Sequence, residues 1–366
     1  VTPSSAAHMK KIGILNFQYS THNYGAVLQA AALEHICCQL GHDPKHLDFM
    51  ARPKISLKGR VGQLLRKMGL RKTPKANQIA NEEAFESFRQ NFINRTKKIN
   101  SASEFSEVAK AFDSVVVGSD QVWRPAFAKD TIAFFLAYVP KGINRVAYAA
   151  SFGTAAWEQA DDTVLTVKVR RELSKFKAVS CREESGVDIC KNVFGVDAAH
   201  VLDPLLIVDE SFFEKIVLQS SIKPGAKLVY YKLDTSTDFQ GDLKVVSSEL
   251  GSNAVNIYLK DSDVREYREV TDWLALIRSS DVVVTDSFHC ICLALRFGKD
   301  VIFCSNEKRG QTRLDSLFKK LDVVAEPLSL DLKTPMFKLS KRGNICAILK
   351  RERTYSLKFL ADALHG

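Results

Sequence analysis

Between residues 280 and 304 apolar and polar positions come in blocks rather than alternating one by one. A valine run over 281–285 gives way to the polar pair Asp286 and Ser287, then to an apolar helix, then to a second apolar strand over 300–304. Continuous apolar runs bounded by turn residues are what strands covered on both faces of a parallel sheet look like. The same pattern predicts strands over 11–17, 114–117, 144–150, 177–181, 200–204, 227–233 and 254–259. It predicts helices over 26–40, 82–92, 241–250, 270–279, 314–321 and 344–364, with Gly41 stopping the first of them. Residues 200–204 read as a short strand leaving through Pro204, and 327–341 as a polar connection. Alternating β and α elements predict an α/β protein with two Rossmann-like lobes facing a cleft. The expected division is 10–205, 206–335 and a helical segment over 336–366.

Candidate chemistry gathers at the strand ends. In open α/β sheets ligands bind outside the carboxyl ends of strands, where helix N-termini favour anions. His289 stands where the 281–285 strand passes into its helix, placed to act on a phosphate or carboxylate; its plainer role is a helix cap with satisfied hydrogen bonds. The loop Thr21-His22-Asn23-Tyr24-Gly25 holds the matching position after the first strand, yet without G-x-G-x-x-G it implies no dinucleotide. Gly118 allows a sharp turn that leaves Asp120 at a strand end, able to accept a hydroxyl proton or bond a sugar, or to serve as an Asx turn or cap. Arg182 follows another strand, and a guanidinium forks readily onto carboxylate or phosphate. Its alternative is a salt bridge to Glu183 or Glu184.

Composition narrows the class. A chain of 366 residues exceeds one ordinary core, which agrees with two domains. With 46% hydrophobic and 26% charged residues it has the balance of a soluble globular protein, and it has no apolar run that would span a bilayer. Residues 1–9 lack the apolar core of a signal peptide and read as an expression scar ahead of Met9. The eight cysteines form no C-x-x-C pair, so no metal site is expected, and several lie in apolar segments suited to a reducing cytoplasm. The cytoplasm is therefore the expected location.

The net charge of +10 would attract nucleic acid, anionic lipid or phosphorylated substrates, but no nucleic-acid-binding motif is present. Part of the charge is local: residues 52–75 carry nine Lys and Arg and no acid, with Ile55, Leu57, Val61, Leu64, Leu65, Met68 and Leu70 interleaved at helical spacing. Such a segment can lie on the inner face of an anionic membrane or grip a lipid-linked diphosphate. It can equally be a solvated face packed on its own domain.

Six segments, in this order, resemble the polysaccharide pyruvyl transferase family: Asn23-Tyr24-Gly25-Ala26-Val27-Leu28-Gln29, Val117-Gly118-Ser119-Asp120-Gln121-Val122-Trp123, Ala147-Tyr148-Ala149-Ala150-Ser151-Phe152-Gly153, Ser180-Cys181-Arg182-Glu183, Leu202-Asp203-Pro204 and Thr285-Asp286-Ser287-Phe288-His289. The resemblance implies a fold similar to the two-lobed B-type glycosyltransferases, and transfer of pyruvate from phosphoenolpyruvate onto a sugar as a ketal. The setting would be capsule, exopolysaccharide or cell-wall assembly, with a glycan or lipid-linked oligosaccharide as acceptor. The family's histidine maps onto His289 and its arginine onto Arg182, with Asp120 as proton acceptor. Asn23, Tyr24, Gly25, Ser119, Ser151, Phe152 and Ser287 would lie on the donor side, and Gln121 and Trp123 on the acceptor side. One branch of the family has Arg two positions before the histidine, where this chain has Ser287; Arg309 or Arg313 is the expected replacement. Cys290 stands where a glycine often follows the histidine, which would narrow the pocket.

An enol phosphate already carries the energy for ketal formation, so the scheme needs an acid and cations but no cofactor. Two other readings share the architecture: a B-type glycosyltransferase using a nucleotide sugar, and a non-catalytic glycan- or lipid-binding relative.

Overall fold

The computed structural model describes residues 9–50, 79–222, 225–233, 235–260, 264–305, 312–341 and 343–365. The basic stretch 52–75 and Arg309 lie outside these residues. The valine-rich runs form the inner strands of two sheets. In chain order the first sheet contains β1 (Lys11–Leu15), β2 (Asp43–His46), β3 (Ser114–Val117), β4 (Asn144–Ala150), β5 (Ala178–Cys181) and β6 (Ala199–His200). Its spatial order is β2-β1-β3-β4-β5-β6, and every pair is parallel. The second contains β7 (Leu228–Tyr231), β8 (Ala254–Asn256), β9 (Val282–Thr285), β10 (Asp300–Cys304), β11 (Val323–Pro327) and β12 (Met336–Lys341). There the order is β11-β12-β10-β9-β7-β8, parallel except for the two antiparallel pairs made by β12. The α/β class and the two Rossmann-like lobes follow directly from these two sheets.

Two expectations give way. Residues 327–341 are not only a connection, and 336–341 do not belong to a helical segment: β11 and β12 make an antiparallel hairpin, with Phe303 of β10 opposite Phe337. Its outer strand carries Glu326 and Pro327, residue types that an edge tolerates and that hide a strand from a search for apolar runs. Residues 200–204 are also not one strand. β6 stops at His200, and Pro204 begins a short helix (Pro204–Ile207) capped by the Asp203 side chain, the first-turn position where proline's missing N–H costs nothing.

The largest buried cluster belongs to both lobes. Ile12, Val27 and Val116 from the first join Trp273, Val283 and Ile291 from the second, and Leu360 and Leu364 from the last helix. Tyr24 pins the junction: its ring stacks on Trp273 at 5.0 Å, and its hydroxyl lies 2.9 Å from Arg268 O and 3.0 Å from Tyr258 O. The closing helix Ile345–His365 returns to the first lobe, where Ser356 Oγ accepts the Leu202 N–H and Lys10 Nζ donates to Leu364 O at 2.8 Å. Among the described residues no helix is long and apolar enough to cross a membrane.

Candidate active site

Each sheet reverses its winding once. In the first sheet β2 and β3 lie on opposite sides of β1, and in the second β8 and β9 lie on opposite sides of β7. Loops diverge at such a point and leave a crevice beyond the strand ends. Here the two crevices meet. The loops after β1, β3, β7 and β9 line a single cavity of about 640 Å3, with Tyr19, His22, Asn23, Asp120 and Gln121 from one lobe and Leu233, Asp286, Ser287, Phe288 and His289 from the other.

His289 lies in the first turn of the helix Phe288–Arg296, whose N-cap is Ser287. It reaches across the lobes. Arg182 Nη1 lies 3.0 Å from His289 Nε2 and 3.0 Å from Asp203 Oδ2, and Ser119 Oγ donates to that same oxygen at 2.9 Å. The Asp203 oxygen is 3.6 Å from His289 Nε2, too far for a hydrogen bond, so the guanidinium is the link between acid and imidazole. Burial alone would raise the Asp203 carboxyl, but the neighbouring His289 ring and Arg182 charge outweigh it and hold Asp203 well below the usual carboxylate range. Burial likewise opposes charge on Arg182, yet Asp203, Asp120 and Glu183 keep it more firmly protonated than a free arginine.

Arg182 therefore stands behind the cavity. Its side chain is 1% exposed, one arm goes to Asp203 and His289, and the other approaches Asp120 at 3.5 Å. Neither Glu183 nor Glu184 is its ion-pair partner. Glu183 accepts the Phe152 and Gly153 N–H groups, and Glu184 pairs with Lys319. The guanidinium that lines the cavity belongs to Arg313, on the helix Thr312–Leu321. Phe288 lies between the two cations, its centroid 4.3 Å from Arg182 Cζ and 5.6 Å from Arg313 Cζ. Burial, and then the charge of Arg182, lower the Arg313 pKa to about 10. An anion bound beside Arg313 would relieve that crowding.

The other expected residues divide into two groups. Asn23, Gln121 and Ser287 line the cavity with Asp120 and His289. With its amide turned so that Oε1 faces Arg313, Gln121 accepts from both terminal nitrogens at 3.1 and 3.2 Å. Gly25 lies against the His289 ring, with no room for a side chain. Asp120 adopts a left-handed backbone, φ 77°, and its Oδ1 accepts the Gln121 N–H at 2.8 Å.

The second group stands away from the cavity. Tyr24 is the pin between the lobes. Trp123 is fully buried, stacked on Phe135 and donating to Phe134 O at 2.9 Å, and Phe152 is buried beside it. Ser151 and Ser119 are also fully buried. Sequence reasoning missed Asp203 as the anchor of Arg182, and Phe17, Tyr19, Phe127 and Lys129 as cavity residues. Only the position of Phe17 and Tyr19, just beyond a strand, signalled them. Among the described residues no group of three or more His, Cys, Asp or Glu side chains gathers where it could hold a metal ion.

A family model described as polysaccharide pyruvyl transferase matches residues 23–308. None of the curated proteins matches. Among solved structures the chain is similar to the UDP-GlcNAc 2-epimerase of Neisseria meningitidis bound to UDP-GlcNAc, with 13% identity over 96% of this chain and 94% of that one and a TM-score of 0.44. It is also similar to the UDP-GlcNAc 2-epimerase of Methanocaldococcus jannaschii, with 11% identity over 94% and 99% of the two chains and a TM-score of 0.40.

Proposed function

Because this chain belongs to the polysaccharide pyruvyl transferase family, we propose that it moves the pyruvyl group of phosphoenolpyruvate onto two hydroxyls of one sugar as a cyclic ketal, within capsule, exopolysaccharide or cell-wall glycan assembly. The observation that carries the proposal is the convergence of Arg313, His289 and Asp120 on one cavity between the lobes. A cation, a proton-transfer group and a carboxylate are what the reaction needs at neighbouring points.

In this reading the donor's phosphate and carboxylate lie against Arg313 and the N-terminus of the Phe288–Arg296 helix. With Nε2 accepting from Arg182, His289 carries its proton on Nδ1 and delivers that proton to the methylene carbon. The double-bond electrons form the new C–H bond, leaving positive charge on the carbon that bears phosphate. One sugar hydroxyl adds there and passes its proton to Asp120. Phosphate leaves with the C–O bonding pair, and the second hydroxyl adds to close the ring. One hydroxyl proton replaces the one His289 gave, and the other leaves with phosphate. Arg182 works through His289, holding the ring by Nε2, and Asp203 holds Arg182. No step needs a metal, so chelator should leave turnover unchanged.

The test is thermal stability titrated with phosphoenolpyruvate, with phosphate release measured against a membrane glycan extract. A ligand that binds only the folded state raises the melting temperature. Wild-type protein should show the rise and Arg313→Ala should lose it. His289→Ala should stay folded with phosphate release reduced about 100-fold or more. A rise with a nucleotide sugar and none with phosphoenolpyruvate would instead assign the cavity to glycosyl transfer.

A further inference from the structure

With Trp123 inside the first lobe's core, a different aromatic ring stands at the cavity mouth. Phe127 lines the cavity and is 52% exposed, a large apolar side chain left half in water. It is nonetheless held firmly. Phe127 N and Ala128 N both donate to Arg124 O, at 3.0 and 3.1 Å, which closes the turn that carries the ring. The Arg124 guanidinium sits 4.6 Å from the ring centroid and is fixed by Glu158 at 2.8 Å. One face of the ring is thus backed by a cation.

Tyr19 and Asp120 stand in the same cavity. Burial, and then the Asp120 charge, raise the Tyr19 phenol to about 12, so its hydroxyl keeps its proton and remains a donor. Besides the cation Arg313, the same cavity holds a rigid aromatic face, a hydroxyl donor and a carboxylate acceptor. A pyranose has the complementary chemistry: one face of C–H bonds and a rim of hydroxyls. We propose that Phe127 is the platform on which the apolar face of the acceptor sugar stacks, with Tyr19 and Asp120 bonding its hydroxyls; this rests on the pyruvyl-transfer reading above.

The test is calorimetric titration, with saturation-transfer NMR, of the full chain against methyl β-galactoside, methyl β-glucoside and methyl α-mannoside, each with and without phosphoenolpyruvate. At least one glycoside should bind wild-type protein, its ring C–H protons receiving the saturation. Phe127→Ala should weaken that binding about tenfold, Phe127→Trp should restore it, and affinity for phosphoenolpyruvate should be the same in all three proteins. Unchanged melting temperature in Phe127→Ala checks the fold. Equal glycoside affinity in Phe127→Ala, or no binding of any glycoside to wild-type protein, overturns the platform. Failure of phosphoenolpyruvate to bind, with the glycoside results as expected, overturns the donor assignment and leaves the sugar platform standing.

Discussion

A hydrogen atom in place of a side chain at position 25 keeps the two halves of the site in contact. A Cβ there would overlap the His289 ring, which reaches Gly25 from the other lobe. Gly25→Ala should therefore move the imidazole off Arg182 while leaving both sheets intact. Misplacing a reacting group by about 1 Å costs on the order of 100-fold in rate. We expect a loss of that size in phosphate release with a folded protein, and a wild-type rate would show that His289 needs no fixed position. The role of Asp203 was not legible at this scale. Its partners Ser119 and Arg182 lie 84 and 21 positions away, and nothing in the tripeptide Leu202-Asp203-Pro204 reveals that the chain brings them together. Trp123 fails for the converse reason. A motif gives a residue's type and place along the chain, whereas burial behind Phe135 depends on packing from elsewhere.

Elements were more legible than residues, because the inner strands carry their signal in their own composition. β3, β9 and β10 are apolar runs covered on both faces, and the structure places them as read, to within a residue at each end. The edge strand β8 was also read, though too long, while β6 was placed too late because it is only two residues long, and the β11–β12 hairpin escaped through its mixture of apolar and polar positions. The β6 edge also carries a pH response. His200 lies in β6 with Nε2 3.2 Å from Arg182 O, and Lys320 donates to its backbone carbonyl at 3.1 Å. Burial, and then the Lys320 charge, lower the His200 pKa from 6.5 to about 4. The unfolded chain therefore binds this proton more tightly than the folded one, so stability is fully present above pH 6.5 and is lost as pH falls from there through 4. Chemical denaturation across that window should show the decline, and His200→Gln should flatten it. An equal slope in the variant would assign the acid sensitivity to other groups.

At the scale of the whole molecule the two sheets are separate but the core is shared. Residues of both lobes and of the last helix belong to one buried cluster, with Tyr24 stacked on Trp273 at its junction. Neither lobe can unfold without exposing the other's apolar surface, so calorimetry should record one cooperative transition. Two resolved peaks would show that the lobes melt independently. The helix Ile345–His365 adds a further tie, since it comes from the far end of the chain yet bonds to Lys10, Lys177 and Leu202 in the first lobe. The peptide link between β6 and β7 is thus only one of several connections between the halves. Made as two polypeptides divided at that link, the protein should reassemble by fragment complementation, because the contacts that define the cavity need proximity and not continuity of the backbone. In that sense it is a heterodimer synthesised in one piece.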